Sequence, residues 1–134
     1  MATRQEIETY LAKAFESLEG AESELANHRY NNCANRCYYA CFQAAIAALM
    51  AARIQARSPG GHWRHENIQA QFIGQLINRR RLYPASIRRT FGENMVLRQK
   101  ADYETDRISE VQAYRAVRRG REFVNAIQKV AGTG

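Results

Sequence analysis

The sequence has no apolar run approaching the roughly 20 residues that span a bilayer, only two prolines, and three cysteines in 134 residues. The first lack argues against a transmembrane segment. The start MATRQEIETYLAKAF is polar and amphipathic, without the continuous apolar stretch of a secretory signal, so a cytoplasmic protein with no membrane partner is expected. Three cysteines are an odd number for a disulfide framework. Cys33, Cys37 and Cys41 recur at helical spacing on one stripe, as small buried hydrophobes do. A metal would need a fourth donor and a geometry that consecutive turns of one helix do not readily give, so neither metal nor other cofactor is expected. There is no useful strand-period segment, no internal repeat and no low-complexity tract.

What is present is helix, and charge unevenly spread. A chain of this length encloses one sizeable core but not two, which predicts a single domain over 1–134. Up to His28, the acids Glu6, Glu8, Glu16, Glu19, Glu22 and Glu24 outnumber Arg4 and Lys13, so the remainder is strongly basic. The net charge of +7 and pI near 9.7 favour an anionic partner. RNA or nucleotide comes first, because neutralising phosphates releases counterions. A solvated arginine-rich surface, or one complementary to an acidic protein, is the alternative.

Thr3 and Glu6 have capping-box spacing, and Ile7, Leu11, Ala14, Leu18 and Leu25 continue as an apolar stripe, predicting a helix over 4–26. A second helix is expected from about His28, capped by Asn27, through the alanine-rich stretch to about Gln55, before the break SPGG at Ser58–Gly61. A third covers His65 to Asn78, with Ile68, Phe72, Leu76 and Ile77 inward. Pro84 then sits in the first turn of a fourth that ends near Ala101, with Ile87, Phe91, Met95 and Leu97 or Arg98 at helical spacing. A turn is expected over Asp102 to Asp106. Ile108, Val111, Tyr114, Val117, Phe123, Ile127 and Val130 mark a last helix. The fold class is all-α, an antiparallel up-and-down four-helix bundle with a short additional helix.

The stretch NRCYYACFQAAIAA, Asn35 to Ala48, sets an arginine and two tyrosines among small residues. Such an arginine packs its stem and needs a carboxylate or carbonyl for its head. Asp102, in LRQKADY, is the candidate, and it lies one helical turn from Arg98. The expected polar network is therefore Asn35, Arg36, Tyr39, Arg98 and Asp102. Tyr38 and Tyr39 read as core or interface residues, with base stacking as the alternative.

Taken together, NRCYYACFQAAIAAL, His65 with Phe72 seven residues on, and LRQKADY at Leu97 to Tyr103 resemble the HEPN domain, the higher-eukaryote and prokaryote nucleotide-binding family. The resemblance runs from the first helix to the last. It implies the same bundle, frequently as a homodimer. In some branches it also implies metal-independent ribonucleases, often toxins paired with a small nucleotidyltransferase. Those carry Arg followed after four to six residues by His. Here Arg98 is followed by Asp102 and Tyr103. Arg57 and His62 match the spacing across the Pro-Gly-Gly loop and are read as coincidence.

Cutting RNA without metal needs a base at the 2′-hydroxyl, an acid at the leaving oxygen and a cation on the phosphate. The catalytic candidates are Arg98, Asp102, Tyr103 and His65. Neither Asp102 nor Tyr103 has the near-neutral pKa that suits histidine to both tasks. His65 has a structural alternative as a helix-start or inter-helix hydrogen bond. In NRRRLYPASIRR, the residues Arg79, Arg80, Arg81, Arg88 and Arg89 form the candidate nucleic-acid surface, with Tyr83 as a stacking partner. Arg115, Arg118, Arg119 and Arg121 cluster similarly. Three functions stay open: an accessory RNA- or nucleotide-binding component, a ribonuclease toxin, and a structural adaptor for an acidic protein.

Overall fold

The computed structural model describes residues 2–56 and 63–132. Its elements are α1 (Arg4–Ala26), α2 (Tyr30–Ala51), α3 (His65–Gln71), which runs on as a wider π-helical stretch over Phe72–Arg79, α4 (Ala85–Tyr103) and α5 (Glu110–Ala131). No strand occurs among the described residues. SPGG, Arg57 and His62 lie outside them.

Cross-helix contacts give the direction of each rod. Arg4 at the start of α1 donates to the carbonyls of Ala131 and Gly132 at the end of α5 (2.7 Å each), and Arg121 pairs with Glu22 (2.7 Å), so these two are antiparallel. Asn35 meets Asp102, whereas Cys41 meets Asn94, so α2 and α4 also run oppositely. The bundle is thus up-and-down, with α3 and its π-helical continuation against α2 and α4.

Packing differs along the bundle. At the end where α1 turns into α2, the inner residues are mostly small, Ala21, Cys33, Ala34, Cys37, Ala113, Ala116 and Val117, beside Leu97 and Ile108. Small residues let helices approach closely. A Cβ on Gly120 would lie 3.4 Å from Leu18 and 3.8 Å from the carbonyl of Cys37, ordinary contact but without room for more. Toward the other end the rings of Phe72, Phe91 and Phe123 meet with centroids 5.1–6.1 Å apart. Such pairs contribute about 0.5–1.5 kcal/mol each beyond burial. The three cysteines are buried free thiols. Burial pushes the Cys41 thiol up to about 12.

Local chemistry shifts several element ends from their expected places. Asn27 does not cap α2; it ends α1, its side-chain amide donating to Ser23 O (2.9 Å). Helix α2 stops at Ala51 because Arg53 takes a left-handed conformation (φ 62°) and Ile54 N returns to Leu49 O. Pro84 stands at the cap, just ahead of the first turn of α4. That helix continues through Asp102 and Tyr103, which were expected in a turn. Ser109 forms a reciprocal capping box with Gln112, which holds the start of α5. Leu25 and Met95 are only half-buried, and Val111, Tyr114 and Val130 are exposed. The inner stripe of α5 runs instead through Ala113, Ala116, Gly120, Phe123, Val124 and Ile127.

Candidate functional site

The helical register of α2 puts Asn35, Tyr38, Tyr39 and Phe42 on neighbouring turns, and α3 and α4 bring His65 and Arg98 to them. Tyr38 is fully buried. Its hydroxyl lies 2.6 Å from Nδ1 of His65, whose ring stacks on Phe42 at 4.3 Å. The guanidinium of Arg98 stands 5.1 Å from the Tyr38 ring centre, 5.8 Å from that of Tyr39 and 6.0 Å from that of Tyr103. Cation–π attraction of this kind strengthens as water is excluded, and the Arg98 side chain is only 15 % exposed.

Charge is balanced within the cluster. Arg98 Nε is 3.1 Å from Asp102 Oδ2, yet the approach is too oblique for a hydrogen bond, and this enclosed N–H has no acceptor among the described residues. The pair is therefore an ion pair held by proximity. Asn35 Nδ2 donates to the same carboxylate at 3.2 and 3.4 Å, fixing it from α2. Tyr103 is 75 % exposed.

Burial, and then the neighbouring Arg98 charge, lowers the pKa of His65. Burial raises that of Tyr38, so its hydroxyl stays protonated. If Tyr38 donates to Nδ1, the remaining proton sits on Nε2, and His65 offers a donor; in the other tautomer Nε2 is the acceptor.

Of the expected network, Asn35, Tyr39, Arg98 and Asp102 come together. Arg36 does not: one residue on, it is rotated toward α1, lies exposed along Gly20, and makes no hydrogen bond or ion pair among the described residues. The four catalytic candidates, His65, Arg98, Asp102 and Tyr103, share one locality around Tyr38, with Tyr103 at its rim.

A second polar network was not foreseen. Asn94 is fully buried, donates to Ala116 O (3.1 Å) and accepts from Arg119 Nε (2.8 Å), while Arg119 also pairs with Glu93 at 3.5 Å. Its signal was present: Asn94 interrupts the inward stripe of Ile87, Phe91 and Leu97 at helical spacing.

The arginine turn is uneven. Arg80 donates to Ala52 O (2.9 Å), Arg88 to Asn78 Oδ1 (3.4 Å), and Arg89 pairs with Glu93 (2.9 Å). Arg79 and Arg81 are exposed without a carboxylate partner among the described residues. Tyr83 cannot serve as a stacking platform, because it is buried against Phe72 with ring centres 5.4 Å apart. In the last cluster Arg119 and Arg121 are paired internally, whereas Arg115 and Arg118 are exposed.

Among the described residues, no three His, Cys, Asp or Glu side chains converge as a metal site, and no helix is long and apolar enough to cross a membrane. Fold and cluster together define a helical bundle with a tyrosine-lined arginine–histidine site between its second, third and fourth helices. The family model for the HEPN domain matches residues 7–130, and the chain belongs to that family. No curated protein matches it.

Proposed function

We propose that the chain is an accessory HEPN domain that binds RNA or nucleotide without cutting it. The observation that carries this is the state of Arg98: its charge is met by Asp102 and its face by tyrosine rings. A cation meant for a phosphate whose charge rises in the transition state has to be available to it. Phosphate contact falls instead to Arg79, Arg81 and Arg88, with Arg80 and Arg89 beside them, on a protein of net charge +7. A homodimer, and a nucleotidyltransferase partner in a toxin–antitoxin-like pair, are carried over from the family resemblance. Three free thiols on one helix accord with a reducing compartment, the cytoplasm.

One observation favours a ribonuclease as the second reading: His65 and Arg98 meet on the same buried tyrosine. Labelled RNA incubated with purified protein separates the two. Binding with intact RNA is expected, whereas cleavage that disappears in both Arg98→Ala and His65→Gln would establish the second. Light scattering at micromolar concentration tests the dimer, and a neighbouring nucleotidyltransferase gene the pairing.

A further inference from the structure

Helix α4 turns Arg98 and Asp102 toward α2, and on its other side it forms a groove with α5. Gly92, Glu93, Val96 and Leu97 line the groove from α4, and Gln112, Arg115 and Arg119 from α5, around a cavity of about 350 Å³. Its apolar part is Val96 and Leu97. Val96 is 67 % exposed, and a side chain placed on Gly92 would meet nothing within 4 Å, so the groove is open above that residue. Val111, also exposed, lies one turn before Arg115 on α5.

The groove's charge is one-sided. Glu93, the one carboxylate among the described residues that line it, is occupied by Arg89 and Arg119. Arg115 at the rim, and Arg118 three residues on, have no acidic partner among the described residues. Among the described residues no aromatic ring lines the groove, so they offer a nucleobase nothing to stack on, whereas single-stranded nucleic acid is held by stacking platforms. An open groove with Val96 and Leu97 on one side and Arg115 on the other matches a short amphipathic helix laid against it, apolar residues toward Val96 and carboxylates toward Arg115.

We propose that the α4–α5 groove docks an acidic amphipathic helix of a partner protein. The site differs from the Arg98 cluster and from the arginine turn, and it stands whether or not either of those binds RNA.

The test is selection from a displayed library of helical peptides, with apolar residues at i, i+4 and i+7 and the remaining positions randomised, against the folded full-length protein. Enriched peptides are expected to be rich in Glu and Asp. Their affinity is expected to drop at least about tenfold for Val96→Glu and for Arg115→Glu, as for a central contact of a small interface. Both positions lie on the surface, so unchanged thermal melting of the variants separates lost docking from lost folding. An absence of enrichment, or peptides that bind Val96→Glu equally well, overturns the proposal. So does protection of the groove from amide exchange by RNA alone.

Discussion

At the scale of single residues, the site depends on groups that are individually ordinary. His65 is held neutral by its burial and by Arg98, so its folded pKa lies below the ordinary histidine value of about 6.5. The folded state then binds fewer protons than the unfolded chain between the two values. The stability this provides is present above about pH 6.5 and is lost as pH falls through the folded pKa. His65→Gln should therefore flatten the decline in denaturation midpoint between pH 7 and pH 5, and an unchanged decline would contradict the assignment. By NMR, the His65 imidazole should titrate closer to its ordinary value in Arg98→Ala. Asn94→Ala removes the acceptor of the part-buried Arg119 Nε and the donor to the Ala116 carbonyl, and leaves a cavity in the core. A loss of about 2–3 kcal/mol in urea unfolding is expected, the size associated with unsatisfied buried polar groups.

At the scale of elements, three helical stretches end on basic residues in the left-handed conformation: His28 after α1, Arg53 after α2 and Arg81 after the π-helical stretch, with φ of 61°, 62° and 53°. Glycine is usual at that position. A non-glycine residue there is strained by roughly 1–2 kcal/mol, offset in part at Arg53 and Arg81 by placing a cation at the negative end of the helix dipole. Arg53→Gly should raise the melting temperature by a few degrees, in line with relief of about 1 kcal/mol; a lower melting temperature would mean that the side chain contributes more than the strain removes. Such ends also show where sequence reading stopped. The helices were legible because Ile7, Leu11, Ala14 and Leu18, or Ile68, Phe72 and Leu76, repeat at the right period and are buried as a set. The end of α2 was misplaced because nothing in Ala-Arg-Ile marks a left-handed turn when glycine is absent. Val111 and Tyr114 are hydrophobic at helical spacing yet face outward, because the inner face of α5 is set by small residues: Ala113 and Gly120 lie against Cys33 and Cys37 of α2. The spacing of Arg98 and Asp102 was readable from one helix. Their meeting with His65 on Tyr38 was not, because it depends on how α3 crosses α2, a tertiary fact with no sequence period.

At the scale of the whole molecule, the acidic first helix and the basic remainder make a protein whose outward charge is polarised, with Arg79, Arg81, Arg115 and Arg118 exposed and unmatched by carboxylates among the described residues. A surface of that kind steers anions and responds to salt. The interior contributes a different property: the Arg98 charge is paired with Asp102 inside the bundle, and under the proposed function it takes no part in cutting RNA. The most direct measurement titrates labelled single-stranded RNA with the protein across a salt series, followed by a gel to check that the RNA is whole. Intact RNA is expected, with an affinity that falls steeply with salt. In the triple variant Arg79→Ala, Arg81→Ala, Arg88→Ala, the slope of log affinity against log salt should flatten by about 2, the figure for three lost single-strand phosphate contacts. RNA cut by the wild-type protein but left whole by Arg98→Ala, or a slope that the triple variant leaves unchanged, would contradict the proposed function.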